Sequence, residues 1–395
     1  MKILFVLNNI YMKGNGLDVS ARRTVQELLN QGQEVRVLTG EPLPGRSVPI
    51  DVPAYTLKEF HFPIFQGLIH SQGYSFAKND QKIIEEAVRW ADVIHLEEEF
   101  PVQTAAIRYA KKYGKPLTAT FHLHPENITF SLGMGTWHWV NKAILNYWKR
   151  NFFNHCMIVQ CPTENVSDRL CRYHIKAASE TISNGVIPDE CIRPLTPPEN
   201  YFDENRPLDV LCVGRYSKEK DQLTLLEAMR YSRFKSRIRL HFAGQGPELA
   251  RYERLSKRLM KEGVLNYEPV FAFHTRDELR QLAASADLLI HCATIEVEGL
   301  SIMEALQQGV VPVIALSRYS GTPQFALDRK SKFPSQNPEA LAKRIDYWLS
   351  HPKERWETGL RYVEEMKKYD IQESVKMLVK MFETVIAQSA NKEKK

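Results

Sequence analysis

The segment Glu296-Val297-Glu298-Gly299-Leu300-Ser301-Ile302-Met303-Glu304, with Gly309 and Pro312 beyond it, places carboxylates on both sides of a glycine. The pattern reads as a loop, a helix opening at Gly299 to Ser301, a stop at Gly309 and a buried strand from Val310 to Ala315. A helix start turns free backbone N–H groups outward, a setting that suits a phosphate. Glu304, one turn inside, is placed to accept hydrogen bonds from ribose hydroxyls, and Glu296, on the preceding loop, can reach the hydroxyls of a sugar. By itself the segment is equally well read as two carboxylates that favour the helix dipole and solvent.

A second group follows an apolar strand: Val213-Gly214-Arg215-Tyr216-Ser217-Lys218-Glu219-Lys220. Arg215 and Lys220 thus emerge at a strand's carboxyl end, where two fixed cations suit a diphosphate, although a solvated basic face is the plainer reading of this stretch alone. A third group is Thr120-Phe121-His122-Leu123-His124, read as the end of a strand whose two histidines share a face. That spacing can hold a metal, but no third ligand accompanies it, so no metal is expected. The preferred reading is a sugar-facing His122 and a structural or acceptor-side His124. Pro125-Glu126-Asn127 and the turn Gly133-Met134-Gly135 lie where an acceptor would enter, or form a plain surface loop. Between Trp137 and Phe153, Trp137, Val140, Ile144, Trp148 and Phe152 recur at helical spacing, with Lys142, Lys149 and Arg150 interleaved. Such a helix can lie in a membrane interface or pack its aromatic stripe into a core.

These groups need elements that hold them. The opening reads as a strand (Lys2 to Leu7), a loop with Gly14 and Gly16, a helix (Asp18 to Gln31) and a strand (Glu34 to Leu38). Strands near Asp92 to Leu96, Leu117 to His122 and Met157 to Cys161 continue the alternation. After the turn-rich stretch Pro194 to Asn200 a second series begins, with strands at Asp209 to Val213, Arg239 to Ala243, Leu288 to His291 and Val310 to Ala315. Alternation of this kind predicts α/β architecture with parallel sheets covered on both faces. Ligands of such sheets bind outside the strands' carboxyl ends, where the groups above stand. A periodic helix is predicted from Gln372 to Ala387, followed by a frayed charged end from Asn391.

The chain has 395 residues, 43% hydrophobic and 25% charged, enough for two cores and ordinary for a globular protein. No apolar run approaches the ~18 residues of a spanning helix, and the start lacks a signal-peptide pattern. Cytoplasmic residence is therefore expected. Six scattered cysteines without a CxxC pair read as reduced thiols. The net charge of +6 is spread out and no nucleic-acid module accompanies it, so nucleic acid is not an expected partner.

Together the motifs resemble glycosyltransferase family 4, the retaining nucleotide-sugar enzymes of the GT-B fold. The resemblance rests on the E-x7-E spacing from Glu296 to Glu304, the GR-x4-K pattern at Arg215 and Lys220, Gly244-Gln245-Gly246-Pro247 and Ser183-Asn184-Gly185-Val186, and it spans nearly the whole chain. It implies two Rossmann-like domains, an acceptor domain over 1–190 and a donor domain over 205–370, with a helix over 371–390 packing back on the first. It further implies that Arg215 and Lys220 neutralise a donor diphosphate, that Glu304 holds the ribose and Glu296 the transferred sugar, and that His122 lies beside that sugar. Gly14 or Gly16, Gly214, Gly246 and Gly299 would allow close backbone approach, and Leu300 and Ser301 would supply phosphate-facing N–H groups. The chain departs from the family in its split Gly14-Asn15-Gly16, in His291-Cys292 where Pro-Ser is common, in Glu298, and in Asp221 where glycine is frequent after the lysine.

The implied reaction moves a hexose, with UDP-glucose the first donor to consider, to a lipid or envelope glycan with retention, without metal or cofactor. Peripheral association with an anionic membrane at the inner face of the cell would fit the Trp137–Phe153 helix. The alternatives are a non-catalytic nucleotide-sugar-binding partner subunit and a GT-B phosphorylase.

Overall fold

The computed structural model describes residues 1–13, 16–64, 66–71, 73–131, 135 and 137–393. Two compact units emerge. The first comprises Met1–Pro125, Trp137–Gly185 and Ile371–Lys395, and the second Glu126–Thr136 and Val186–Asp370. The turn-rich stretch Pro194 to Asn200 lies inside the second unit, and besides the short excursion Glu126–Thr136 the chain passes between units at Gly185–Val186 and Asp370–Ile371.

The first unit is built on seven strands: β1 (Lys2–Val6), β2 (Glu34–Gly40), β3 (Ala54–Leu57), β4 (Val93–Leu96), β5 (Leu117–Thr120), β6 (Ile158–Cys161) and β7 (Ala178–Thr181). All pair in parallel, in the order β3-β2-β1-β4-β5-β6-β7. β1 reads Lys-Ile-Leu-Phe-Val, nearly continuous in apolar residues, because helices cover both faces of a parallel sheet. The helix Ile371–Glu393 belongs to this unit: Val375, Leu378, Met381, Phe382 and Val385 are buried in one cluster with Ile3 and Phe5. The end expected to fray is helical through Glu393, since this apolar stripe anchors the helix from which it extends.

The second unit carries β8 (Leu208–Val213), β9 (Ile238–Ala243), β10 (Val270–Ala272), β11 (Leu288–His291), β12 (Ile295–Glu296), β13 (Val311–Leu316), β14 (Tyr319–Ser320) and β15 (Lys332–Pro334). Six form a parallel sheet in the order β10-β9-β8-β11-β13-β15, and β12 pairs with β14 in parallel beside it. In both sheets the first strand of the unit lies centrally, with the strand order reversing on its far side: between β1 and β4, and between β8 and β11. Such a reversal splays the loops at the carboxyl ends apart and leaves a crevice there. The loops after β1, β4, β8 and β11 therefore define where ligands can reach each unit.

One strand ends earlier than its sequence implies. β5 stops at Thr120, not His122, although the Phe121 N–H still reaches the Gln160 carbonyl at 3.0 Å. The cause is Pro125, which opens a short helix (Pro125–Ser131) and draws the chain out of the sheet before it. No described helix is long and apolar enough to cross a membrane.

Candidate functional site

In the second unit, the loop after β8 is held open for its cations by packing behind it. Gln222 is buried; its Nε2 donates to the Arg215 carbonyl at 2.9 Å and its Oε1 accepts from the Tyr252 hydroxyl at 2.6 Å. Gly246 is needed for close approach, since a Cβ there would lie 2.3 Å from the Tyr216 carbonyl oxygen and 2.8 Å from its nitrogen. At Gly214 a Cβ would meet nothing closer than 3.9 Å, so it is the backbone, at φ 144°, and not packing that demands glycine there. Asp221, where the family favours glycine, has φ 51°, the left-handed region that a short polar side chain tolerates, and its carboxylate accepts from Thr224 Oγ1 at 2.7 Å.

The loop after β11 is pinned to the first. Thr294 donates to the Glu219 carbonyl through its N–H (2.8 Å) and its hydroxyl (3.0 Å). The β12–β14 pairing and a hydrogen bond from the Gly321 N–H to the Glu296 carbonyl (2.9 Å) fix the other side. The result brings Lys220 Nζ onto Glu296 Oε2 in a direct ion pair. His291 Nε2 lies 3.9 Å from the same carboxylate oxygen. Burial, reinforced by neighbouring Lys220, pushes the His291 imidazole down to about 3, so it stands there neutral.

Gly299 caps the helix Leu300–Leu306 at φ 86°, and a Cβ there would sit 2.6 Å from Thr322 Cγ2. Hydrogen bonds back to its carbonyl begin only at Ile302 (2.9 Å), so the N–H groups of Leu300 and Ser301 belong to the open first turn. Glu304 lies one turn in and is half-buried. Cation, carboxylate and helix start thus crowd the β8/β11 crevice, an arrangement able to hold a diphosphate and to offer a carboxylate to hydroxyls.

Gly14 falls outside the described residues, as do Gly133 and Met134. Gly16 opens the helix Gly16–Asn30 with empty space around the position of a Cβ. His122 and His124 do not share a strand face as the sequence implied. His122 Nε2 meets Glu97 Oε2 directly, whereas His124 is fully buried with its Nδ1 accepting from Arg169 at 2.8 Å. Burial and the adjacent guanidinium hold His124 well below the ordinary histidine range, which makes it a structural group. Glu126 is buried and Asn127 half-buried.

The helix His138–Asn151 faces two ways. Leu145 and Trp148 turn inward and Lys149 Nζ donates to the Tyr173 carbonyl at 2.8 Å, which removes Trp148 and Lys149 from any outer face. Trp137, Trp139, Lys142, Tyr147 and Arg150 are exposed, and the two tryptophans stack at 6.1 Å between ring centroids.

Residue-by-residue reading missed an acidic cluster directly after β4. Glu97, Glu98 and Glu99 are all buried, as is Asp18. The available signal was three consecutive glutamates immediately after an apolar strand. Burial pushes Glu98 from its ordinary 4.5 up to about 7, against the hydrogen bonds it accepts from the Asn8 N–H and Asn8 Nδ2 (2.7 Å). Burial first, and the neighbouring glutamates second, raise Asp18 and Glu99 as well. Between pH 4.5 and 7 the folded chain therefore holds a Glu98 proton that the unfolded chain has lost, so this group lowers stability as pH rises through that window. Comparing wild type with Glu98→Gln by urea unfolding should show the wild type losing roughly 3 kcal/mol relative to the variant between pH 4.5 and 8, at about 1.4 kcal/mol per pKa unit. A pH-independent difference would contradict it.

Comparison with known proteins bears on the family and the fold. Residues 198–378 match the family Glycosyl transferases group 1, and residues 14–190 match Glycosyltransferase Family 4. The chain is 25% identical over 331 residues to the alpha-monoglucosyldiacylglycerol synthase of Streptococcus pneumoniae, covering 80% of this chain and 71% of that protein. In fold it is similar to Anabaena HepE crystallised with UDP and glucose (TM-score 0.69, 15% identity, 97% of this chain and 100% of that one). It is also similar to the sucrose-phosphate synthase of Thermosynechococcus elongatus (TM-score 0.69, 14% identity, 98% and 100%). With family matches to both halves and two parallel α/β sheets of this order, the chain belongs to the GT-B glycosyltransferases of family 4 type.

Proposed function

We propose that this glycosyltransferase moves a hexose from a UDP-sugar to a membrane lipid or envelope glycan intermediate with retention of configuration. The observation that carries the reading is the convergence of Lys220, Glu296 and the Gly299-capped helix at the β8/β11 crevice. Arg215 and Lys220 would neutralise the departing diphosphate, with the Leu300 and Ser301 N–H groups facing it, which is leaving-group stabilisation by groups already in place. Glu304 would hold the ribose, Glu296 the transferred sugar, and His122 would lie beside that sugar. No cofactor enters this scheme. The donor assignment draws on HepE, solved with UDP and glucose, and the acceptor on relatives that synthesise alpha-monoglucosyldiacylglycerol. An α product from the α-linked donor UDP-glucose is retention.

The test is a binding screen against UDP-, GDP- and ADP-sugars, followed by transfer to vesicles containing diacylglycerol and assignment of the product anomer by its proton coupling. Binding of no donor, or a β product, would sink the corresponding part.

The exposed Trp137–Trp139 pair with Lys142 and Arg150 fits the interface of an anionic membrane. Co-sedimentation with vesicles containing anionic lipid should fall about 100-fold in the Trp137→Ala/Trp139→Ala double variant, from ~1.5 kcal/mol of apolar burial for each of the two side chains removed. Unchanged sedimentation would remove the membrane from the list of partners.

A further inference from the structure

A buried chain of hydrogen bonds runs across the first sheet toward His122, and the direction of each bond follows from the one before it. It starts at Gln160 on β6. Its Nε2 donates to the Ile182 carbonyl at 3.0 Å, so Oε1 faces Thr120, whose hydroxyl donates to it at 2.8 Å. With its proton committed, Thr120 Oγ1 can only accept from His95 Nε2, 2.8 Å away. The same nitrogen lies 3.2 Å from Glu97 Oε1, a second acceptor. His95 Nε2 therefore carries a hydrogen. His95 Nδ1 meets Thr118 Oγ1 at 2.9 Å, a hydroxyl free to donate to it or to turn toward the Ile94 carbonyl.

Glu97 is thus gripped at Oε1, and its Oε2 meets His122 Nε2. Burial would raise this carboxyl, but His122 and His95, by their charge whenever either ring is protonated and by their hydrogen bonds, outweigh it and hold Glu97 well below the ordinary carboxylate range. An ionised carboxylate only accepts, so His122 Nε2 must carry the hydrogen. In the neutral ring the other nitrogen, Nδ1, then keeps its lone pair. Among the described residues Nδ1 has no hydrogen-bond partner.

We propose that Glu97 is a positioning residue for the transfer reaction: it holds His122 in the Nε2–H form, so that Nδ1 accepts a hydrogen bond from a substrate hydroxyl, on the transferred sugar or on the acceptor. The proposal rests on the transfer reaction argued above. Replacing Glu97 by glutamine makes the demand on this residue visible. Both of its oxygens must accept, and a carboxamide has one accepting and one donating end. His95 Nε2–H is locked by Thr120 and Gln160, so the amide oxygen goes to His95 and the NH2 to His122. His122 Nε2 must then accept, which moves its hydrogen to Nδ1 and turns the ligand-facing acceptor into a donor.

The experiment reads the ring nitrogens of His122 directly, by long-range proton–nitrogen NMR of the full chain at neutral pH, with His122→Gln to assign the signals. The expected result is a protonated-type Nε2 and an unprotonated-type Nδ1 in the wild type, exchanged in Glu97→Gln and retained in Glu97→Asp. A protonated Nδ1 in the wild type overturns the proposal, whether or not transfer occurs. Adding nucleotide-sugar alone, then acceptor alone, should shift the Nδ1 signal with one of them, which says which carries the hydroxyl; a shift with neither, while donor binding is evident at Glu296, overturns the ligand role. In turnover, Glu97→Gln should lower kcat about tenfold, the worth of one hydrogen bond of ~1.4 kcal/mol, and Glu97→Asp should recover part of it. Equal kcat in Glu97→Gln and wild type would also overturn it.

Discussion

Replacing Lys220 with alanine should lower kcat/KM for sugar transfer about 100- to 1,000-fold, the usual cost of removing one preorganised group from the charge that develops on a leaving group (~2.7–4 kcal/mol). Without ligand, the ammonium is paired with Glu296. Its removal would therefore do two things: take away a cation from the diphosphate and leave the Glu296 carboxylate uncompensated beside it. Glu296→Gln separates these effects. It frees Lys220, so a nucleoside diphosphate without sugar should bind this variant at least as tightly as the wild type, while sugar transfer falls. On the proposed function the pair would act as a placeholder that the diphosphate must displace, after which Glu296 would be available to hydroxyls. Calorimetric titration with UDP and a transfer assay on both variants would check this. Loss of UDP binding in Glu296→Gln equal to that in Lys220→Ala would show that the carboxylate, and not only the ammonium, is required for the diphosphate.

The largest stability effect is expected at Asp287, far from the chemistry of transfer. This carboxylate is buried at the amino end of β11 and accepts from Arg206 Nη1 and Nη2 (2.9 and 2.5 Å), from Arg355 Nη2 (2.6 Å) and from the Asp209 N–H (2.9 Å). Arg355 is itself buried and also donates to the Tyr201 hydroxyl (2.9 Å) and the Trp348 carbonyl (3.0 Å). Asp287→Ala would strand the Arg355 guanidinium in the core with no counter-charge. Breaking a buried pair by removing one partner costs about 3–5 kcal/mol. For a unit of this size that is a fall in Tm of roughly 10 °C, at about 2–4 °C per kcal/mol. Scanning calorimetry should show the loss, and the double variant Asp287→Ala/Arg355→Met should recover part of it, since no buried charge is then left behind at that position. An unchanged Tm in the single variant would mean that water reaches this cluster in solution.

The residues proposed for the donor side could be singled out because they are sequential: Arg215 and Lys220 occupy one loop, Glu296 to Glu304 another, and each loop directly follows an apolar strand. Strand periodicity and the punctuation at Gly299 and Gly309 place such groups without knowledge of distant contacts. Even the departure at Asp221 is a local matter, resolved once its left-handed φ is seen. His122 was legible as a residue, but its partner was not. Glu97 and His122 stand 25 positions apart and are joined by the β4–β5 pairing, which no local pattern encodes.

The sequence by itself therefore determined the α/β alternation, the strand-end loops and the residue types they carry, since these depend on neighbours within a few positions. Only the tertiary structure decided that Lys220 meets Glu296, that His124 is locked to Arg169, and that Trp148 turns inward while Trp139 stays exposed. It also decided that Glu97 is charged while Glu98, the next residue, is raised to about 7. Adjacent glutamates are alike in a sequence, but successive residues at a strand's end point to opposite sides. One finds two imidazoles and the other an asparagine in a buried pocket, and that difference in surroundings sets the charge of each.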